Sequence, residues 1–278
     1  MAKDWPPAHA VISGGSSGIG LALARRLAGQ GARVTLLARD PGRLAAAAAT
    51  VGGLGLPVDV RDGAAVAEAV ARAEAAQGPA DVLVAGAGAV RPGNFADLPA
   101  EAFAEMIAVN YLGAVHLMRA GLPGMRARGR GRALLVGSAG TLAGVWGYGA
   151  YAPSKAALAA LGAVLRAECR PDGVRVGVAF PPDTDTPQLA AERAERPPQT
   201  AAIAGTAGVL SAEAVATALE RGLRAGRAEI FVTPGVWALA RLAPAVRPLV
   251  DRWLDRAARR AGGDQTGGDQ TGSGPTRR

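Results

Sequence analysis

The hydrophobic positions of the chain form short apolar runs that alternate with longer amphipathic stretches rich in Ala and Leu. The runs predict seven strands, at Ala10–Ser13, Arg33–Ala38, Gly55–Val58, Asp81–Ala85, Arg132–Gly137, Arg175–Phe180 and Glu229–Thr233. The stretches between them predict helices near 18–29, 40–51, 62–77, 100–119, 152–169 and 211–225. Strands that are apolar throughout are typical of a sheet covered on both faces. Because strands and helices alternate, we predict an α/β fold with a parallel sheet covered by helices on both faces, in three α/β/α layers. Our full hypothesis is a doubly wound sheet with its seven strands in the order 3-2-1-4-5-6-7.

The length of 278 residues fits one large domain with a substantial core, which we assign to residues 8–235. Residues 183–208 are a Pro- and Ala-rich loop, and loops of that length are usually functional, so we interpret them as a substrate loop. Residues 236–261 form a C-terminal amphipathic extension. Residues 262–278, which contain Gly-Gly-Asp-Gln-Thr twice, predict a disordered tail.

A glycine-rich turn follows the first predicted strand and opens the first helix. It runs from Ser13 through Gly14, Gly15, Ser16, Ser17, Gly18 and Ile19 to Gly20. Glycines let the backbone turn tightly and approach a pyrophosphate, whose charge meets the helix N-terminus. The position of the turn between strand and helix favours a dinucleotide site and a Rossmann-type sheet. The alternative is an ordinary tight turn between a strand and a helix.

The end of the second strand indicates which dinucleotide binds. An acidic residue there would bind the adenosine 2′-hydroxyl and select NAD. This chain has Ala38 there, followed directly by Arg39, with Arg43 one helical turn further on. Because the planar guanidinium group suits a 2′-phosphate, we predict NADPH/NADP+ as the cofactor. An arginine that is merely exposed at the surface remains the alternative for Arg39.

Tyr151 and Lys155 are four residues apart, which places a phenol and an amine on one helix face. A free tyrosine has a pKa of about 10, and we expect Lys155 and a nicotinamide cation to lower the pKa of Tyr151. Ser138, at the end of the fifth strand, is positioned to donate a hydrogen bond to a substrate carbonyl or, alternatively, to cap the strand end. Asn110 lies inside a predicted helix, where it holds a water or serves as a packing amide.

These residues resemble the short-chain dehydrogenase/reductase superfamily over about residues 8–235, in order and in spacing. The resemblance implies that NADPH delivers hydride, Tyr151 protonates the carbonyl oxygen, Lys155 holds the nicotinamide ribose and Ser138 orients the substrate, with Asn110 completing the catalytic set. It implies these cofactor-binding residues: Gly14, Ser16, Ser17, Gly18, Ile19, Gly20, Arg39, Arg43, Asp59, Val60, Ala87, Tyr151, Lys155, Pro181 and Thr184.

Two positions depart from the pattern of that superfamily. Ala85-Gly86-Ala87-Gly88 stands where members of the superfamily usually have Asn-Asn-Ala-Gly. Because the Asn side chain that normally braces the central strands is absent, we expect these strands to be held less rigidly. Pro181-Pro182 replaces the usual Pro-Gly.

The stretch from Phe180 to Pro187 resembles the signature of the 3-ketodihydrosphingosine reductases. This likeness implies an NADPH-dependent reductase of a lipophilic keto substrate, 3-ketosphinganine, in sphingolipid biosynthesis. Asp183 and Asp185 begin the substrate loop, so either carboxylate is a candidate to meet the substrate's ammonium. A helix-capping turn ahead of Pro187 is the alternative. The competing functions are reduction of another lipophilic ketone or 3-oxoacyl substrate and, more distantly, NADP sensing without turnover.

The charge and the cysteine content of the chain argue against several classes of partner and site. The net charge is +8, but the basic residues lack interleaved aromatics, so we predict no nucleic-acid partner. Cys169 is the one cysteine, which excludes an intrachain disulfide, and we predict no metal site. Residues 237–260 combine tryptophans and aliphatic residues with six arginines, and would lie on a membrane, cover the substrate mouth or pack on the domain.

The location and assembly of the protein are also expectations. Met1–Ala8 carries no apolar signal core, and no run approaches the roughly 20 apolar residues that cross a bilayer. We therefore expect a cytoplasmic protein, with peripheral contact at the inner membrane surface as the further option. The superfamily resemblance implies a homodimer or homotetramer formed through the helices near 100–119 and 152–169.

Overall fold

The computed structural model describes residues 5–204 and 208–263, and its central feature is a parallel sheet. The strands are β1 His9–Ser13, β2 Arg33–Ala38, β3 Leu54–Pro57, β4 Val82–Ala85, β5 Gly131–Val136, β6 Val174–Phe180, β7 Thr184–Asp185, β8 Leu210–Ser211 and β9 Glu229–Phe231. Seven of them form one sheet in the order β3-β2-β1-β4-β5-β6-β9, and β7 pairs with β8. Every neighbouring pair in the large sheet is parallel. The predicted fold class and strand order are confirmed, with β9 as the seventh strand.

Helices connect the strands and cover both faces of the sheet. They are α1 Gly18–Ala28, α2 Pro41–Val51, α3 Gly63–Gln77, α4 Ala100–Met106, α5 Gly113–Ala127, α6 Tyr151–Cys169, α7 Pro187–Glu195, α8 Pro198–Ala204, α9 Ala212–Ala225, α10 Pro234–Leu242 and α11 Arg247–Gly263. Side chains cap several N-termini as their sequences suggest: Asp40 accepts from the Arg43 backbone N–H, and Asp62 from those of Ala64 and Ala65.

Two apolar clusters fill the spaces on either side of the sheet. One contains Val11, Leu83 and Leu135 from the central strands with residues of α3, α5 and α6. The other contains Ile12, Val84 and Leu134 with residues of α1, α2 and α9. Successive apolar residues of β1, β4 and β5 thus point into opposite clusters, and every residue of these strands except Gly131 is buried. This explains why their sequences are continuous apolar runs rather than alternating ones.

Three segments differ from the sequence predictions. The helix predicted near 100–119 consists of α4, a π-helical segment at Ile107–Leu112 and α5, which continues to Ala127. Within 183–208, the predicted loop contains β7, α7 and α8. Helix α11 extends to Gly263, two residues into the predicted tail; residues 264–278 of that tail lie outside the described residues, as do 1–4 and 205–207.

The carboxyl ends of all seven strands lie along the same edge of the parallel sheet, where the loops between strands and helices bring distant residues together. The segments after β6 and β9 add helices α7, α8, α10 and α11 beside this edge. None of the helices in the described part of the chain is both long and apolar enough to span a membrane.

Candidate active site

A single large cleft of about 1350 Å³ opens along the carboxyl edge of the sheet. The sequence-predicted residues that line it are Gly14, Ser16, Ser17, Gly18, Ile19, Gly20, Arg39, Arg43, Asp59, Val60, Ala87, Ser138, Tyr151, Lys155, Pro181, Asp183 and Thr184. Asn110 and Asp185 are not among its lining residues. Residues up to 170 positions apart in the chain therefore converge on one site, as we expect for a parallel sheet.

The glycine-rich turn packs too tightly for side chains. Gly14 has a φ of +69°, and a Cβ there would lie 2.6 Å from the Gly86 carbonyl oxygen. A Cβ on Gly20 would lie 2.3 Å from the carbonyl oxygen of Gly14. Ser17 precedes α1 without capping it through its side chain, and the first turn holds no acidic residue. The N-terminus of α1 thus presents its N–H groups and positive dipole end to the cleft, a suitable arrangement for a pyrophosphate.

Basic groups lie beside this turn at the ends of β2 and β3. Arg39 is exposed at the cleft and makes no hydrogen bond or ion pair with the described residues. Arg43 forms an ion pair with Asp40, at 3.4 Å between Nε and Oδ2. Asp59 is held by Arg61, whose hydrogen bonds lower the pKa of the Asp59 carboxyl. The free guanidinium group at this edge is that of Arg39.

Ser13 supplies a brace that the sequence analysis did not find. Its hydroxyl accepts hydrogen bonds from the backbone N–H groups of Gly86 (3.2 Å) and Ala87 (3.3 Å) and donates to the Val84 carbonyl (3.4 Å). It therefore links β1 to the end of β4, where the chain lacks the asparagine that superfamily members usually have. The serine at the end of β1 was visible in the sequence, but its partners were not.

Tyr151 and Ser138 lie together at the middle of the cleft. Tyr151 begins α6, and Ser138 follows β5. Burial raises the pKa of Tyr151 to about 12, the hydrogen bond with the Ser138 hydroxyl acts in the opposite direction, and Glu192 and Asp183 raise it further. We expected Lys155 to lower this pKa, and that expectation is wrong for the protein alone, because desolvation outweighs the stabilising contacts. Ser138 also accepts from the Gly140 backbone N–H at 3.1 Å. It therefore also caps the end of β5, the alternative to a role in substrate binding that the sequence left open.

Lys155 is buried on the same side of α6. Its Nζ donates to the Val136 carbonyl at 2.9 Å, and burial lowers the pKa of Lys155 to about 8. A Cβ placed on Gly88 would lie 3.1 Å from this Nζ and 3.3 Å from Asn110 Oδ1, so a side chain at Gly88 would crowd both groups. The amine thus lies beside the cleft wall rather than in solvent.

Asn110 lies in the π-helical segment, and its amide is fully engaged with protein groups. Its Oδ1 accepts from the Ala89 backbone N–H at 2.8 Å, and its Nδ2 donates to the Ala89 carbonyl and the Ser154 hydroxyl, both at 2.9 Å. The Ser154 hydroxyl in turn donates to the Tyr151 carbonyl at 2.7 Å. The side chain therefore packs as an amide and ties the start of α6 to the segment after β4, while its role in holding a water stays a prediction.

A second polar network lies next to Tyr151. The Tyr148 ring meets that of Tyr151 edge-on, with 5.2 Å between centroids. The Tyr148 hydroxyl donates a short hydrogen bond to Glu192 Oε1. Arg196 donates from Nε to the same Oε1 at 2.8 Å, from NH2 to the Tyr148 oxygen at 3.0 Å and from NH1 to Asp183 Oδ2 at 2.9 Å. Burial, followed by the hydrogen bond to Glu192, raises the pKa of Tyr148 far above its ordinary value.

This network changes the interpretation of the predicted substrate carboxylates. Asp183 lines the cleft, but Arg196 already neutralises its charge, and Asp185 is exposed in β7. Thr186 caps the N-terminus of α7, as the alternative hypothesis for this turn predicted, because its hydroxyl accepts from the Leu189 backbone N–H at 3.2 Å. Sequence reasoning missed Tyr148 and Arg196; the i, i+4 spacing of Glu192 and Arg196 was the available signal for an ion pair.

An apolar wall closes the other side of the cleft. It is formed by Ile203 of α8, Val236 and Leu239 of α10, and Leu249, Val250, Trp253 and Leu254 of α11. Leu249 and Trp253 are 63% and 47% exposed, so their apolar faces extend from the cleft to the protein surface. Part of residues 237–260 thus lines the cleft, as expected if the segment covers the substrate mouth, and contact with a membrane stays a prediction.

Comparison with known proteins places the chain among relatives of known class. Residues 8–197 match the model of the short chain dehydrogenase family. The 3-dehydrosphinganine reductase of Danio rerio is 40% identical over 75% of this chain and 66% of that protein. A 3-dehydrosphinganine reductase of Arabidopsis thaliana is 40% identical over 79% of this chain and 68% of its own. The chain thus spans about two thirds of the length of these relatives.

Solved structures agree with this placement. A short chain dehydrogenase/reductase family protein superposes with a TM-score of 0.71 at 29% identity, covering 81% of this chain and 96% of that one. The segment that matches the family model, residues 8–197, includes the glycine-rich turn, Ser138, Tyr151 and Lys155. The chain therefore belongs to the short-chain dehydrogenase family and is an oxidoreductase acting on a hydroxyl or carbonyl carbon with a nicotinamide cofactor.

Proposed function

We propose that this enzyme reduces the 3-keto group of 3-ketosphinganine to the secondary alcohol of sphinganine, with NADPH as the reductant. The observation that carries the proposal is the meeting of Ser138, Tyr151 and Lys155 with an apolar wall in one cleft. The first three groups suit proton transfer to a carbonyl, and the wall suits a long acyl chain. The relatives named 3-dehydrosphinganine reductase support this choice of ketone.

In this mechanism Tyr151 is the proton donor and Ser138 holds the carbonyl oxygen. The nicotinamide supplies the hydride that forms the new C–H bond at the carbonyl carbon. Tyr151, whose raised pKa of about 12 keeps it protonated at neutral pH, transfers its proton to the oxygen. Ser138 hydrogen-bonds the same oxygen, which favours the charge that develops there. Lys155 would hold the nicotinamide ribose from the cleft wall.

The cofactor site fits a phosphorylated dinucleotide. The α1 N-terminus would receive the pyrophosphate, and Val60 and Ala87, which line the same cleft, would contact the dinucleotide. Arg39, which has no ion-pair partner among the described residues, binds the 2′-phosphate, and Arg43 adds a second positive charge. Thr184 and Pro181 close the nicotinamide side. These contacts make NADPH the preferred form.

The C-terminal helices also suit a lipid surface. Trp237, Leu242 and Val246 are exposed next to arginines of α10 and α11, so we propose that a cytoplasmic enzyme contacts an anionic membrane there and takes up its substrate. Sedimentation with anionic vesicles but not with neutral ones is the expected result.

We further propose a homo-oligomer through α4–α6, where Val164 and Ile107 are exposed. A light-scattering mass equal to that of a monomer would contradict it.

The direct test is an assay with NADPH and 3-ketosphinganine, following the loss of absorbance of the reduced nicotinamide. A panel of ketones with matched chain length, with and without the 2-amino group, and a short ketone complete it. We expect the highest kcat/KM with the long 2-amino-3-ketone. Turnover no better than that of the short ketone would contradict the sphingoid substrate, and equal turnover with and without the amine would favour a general lipophilic-ketone or 3-oxoacyl reductase.

A further inference from the structure

The network of Tyr148, Asp183, Glu192 and Arg196 lies in the cleft beside the proposed proton donor, yet the mechanism above does not use it. We propose that Glu192 is the residue that binds the ammonium group of the substrate, and so selects 2-amino ketones over plain ketones. This inference rests on the proposed function, because it assumes that the reacting ketone carries an amine next to its carbonyl.

The first argument is an unused carboxylate oxygen. Glu192 lines the cleft, and its side chain is only 8% exposed. Both hydrogen bonds that it accepts from the described residues, from Tyr148 and Arg196, end on Oε1. Its Oε2 receives none from that part of the chain. A buried carboxylate normally satisfies both oxygens, so an open one that borders a ligand cleft is suited to a donor from the ligand.

The second argument is charge. Two carboxylates, Asp183 and Glu192, share the single guanidinium group of Arg196, so the network has a formal charge of −1. Burying an uncompensated charge is unfavourable, and a cation that enters the cleft relieves this penalty. Each carboxylate of the network keeps one oxygen that accepts no hydrogen bond from the described residues, Oδ1 of Asp183 and Oε2 of Glu192, so position must decide between them.

The third argument is position. In a 2-amino-3-ketone, the carbon that bears the amine is bonded directly to the carbonyl carbon. The ammonium must therefore bind next to the groups that hold the carbonyl oxygen. Tyr148 contacts the Tyr151 ring and hydrogen-bonds Glu192, so it connects the proposed oxygen site to the proposed ammonium site. Within the described chain Asp183 makes no hydrogen bond with Tyr148, and Asp185 lies off the cleft lining, so among the three carboxylates Glu192 is the one that Tyr148 links to the oxygen site.

The test measures amine discrimination, defined as kcat/KM for the long 2-amino-3-ketone divided by kcat/KM for the same ketone without the amine. Glu192→Gln keeps an oxygen that accepts from Tyr148 and Arg196 but removes the charge. We expect discrimination to fall at least about tenfold, the equivalent of about 1.4 kcal/mol. Glu195→Gln is the matched control, since it makes the same change on an exposed residue of α7, and it should leave discrimination at the wild-type value.

A folded Glu192→Gln enzyme with unchanged discrimination would overturn the inference, even if both rates fell, because equal losses indicate a structural role. If that variant fails to fold, Asp183→Asn decides the matter with the same assay. It too neutralises the network, so it should lower discrimination, by a smaller factor. A wild-type enzyme that does not discriminate at all would instead contradict the proposed substrate itself, which separates the two failures.

Discussion

The two halves of the cleft are built in different ways. The dinucleotide half, along β1 to β5, consists of backbone turns in which glycines approach other backbone within van der Waals distance, as Gly14 approaches Gly86. The substrate half, after β6, consists of helices α7, α8, α10 and α11, whose side chains provide the polar network and the apolar wall. The dinucleotide half therefore offers mostly main-chain groups, with Arg39 as the side chain proposed for the 2′-phosphate, and the substrate half offers side chains.

This difference teaches how a single fold holds a common cofactor and varies its substrate. Main-chain N–H groups and a helix dipole do not depend on side-chain identity, so the dinucleotide half tolerates change only where a Cβ fits. Side chains on surface helices can be exchanged one at a time, so specificity can be altered there without disturbing the sheet. Tyr151 lies at the boundary between the halves, and the proposed mechanism uses it as the proton donor.

The most damaging change should be the one at that boundary. Tyr151→Phe removes the proposed proton donor while keeping the ring, so we expect the rate of ketone reduction to fall by about 10²–10⁴-fold. NADPH binding, measured by the fluorescence of the reduced nicotinamide, should stay close to the wild-type value because the dinucleotide half is unchanged. Tyr148→Phe is a useful comparison because it removes a neighbouring hydroxyl of the network. A Tyr151→Phe enzyme with near wild-type turnover would show that the proton comes from another group.

The next change tests the dinucleotide half alone. Arg39→Ala removes the guanidinium that we propose for the 2′-phosphate, and a charge-assisted hydrogen bond of this kind contributes about 1.5–3 kcal/mol. We therefore expect the ratio of kcat/KM with NADPH to that with NADH to fall by about 10–100-fold. Arg72→Ala, on the exposed face of α3, is the control for a lost surface charge. If the ratio of kcat/KM with NADPH to that with NADH is unchanged, Arg39 is an exposed surface arginine that does not select the cofactor.

The same contrast explains what the sequence could predict. The glycine-rich turn and the pair Tyr151–Lys155 are local patterns, so their spacing alone predicted their place in the cleft. The contact of Ser13 with Gly86 spans 73 positions and that of Tyr148 with Glu192 spans 44, and no local spacing records such pairs. The predicted sheet order was correct because alternating strands and helices with a glycine-rich turn after the first strand are typical of a doubly wound sheet. The pairing of Asp183 with Arg196 depends on how α7 packs, which the sequence did not reveal.

The raised pKa of Tyr151 predicts a contrast between the two directions of the reaction. Reduction uses the phenol, which is fully protonated well below pH 12, so the protonation of Tyr151 alone keeps the initial kcat/KM nearly constant from pH 7 to 9. A fall above about pH 8 would report the loss of the Lys155 charge, because burial lowers the pKa of Lys155 to about 8. Alcohol oxidation uses the phenolate, whose small fraction grows about tenfold per pH unit below the pKa. We expect the oxidation rate to rise by about that factor per unit over the same range. An oxidation rate that is already level at pH 7 would mean that the bound cofactor brings the pKa of Tyr151 down to neutrality.

The smallest expected effect belongs to the substrate wall, where two tryptophans allow a matched comparison. Trp253 of α11 lines the cleft and is 47% exposed, whereas Trp237 of α10 is 52% exposed and lies outside the cleft lining. Trp253→Ala removes apolar area that we propose for the acyl chain, so the ratio of kcat/KM for a long to a short 2-amino-3-ketone should fall by about 3–10-fold. Measured in detergent solution, Trp237→Ala should not change this ratio. If both variants lower it equally, the chain is not held by the cleft wall, and the apolar surface of α10 and α11 acts as one platform instead.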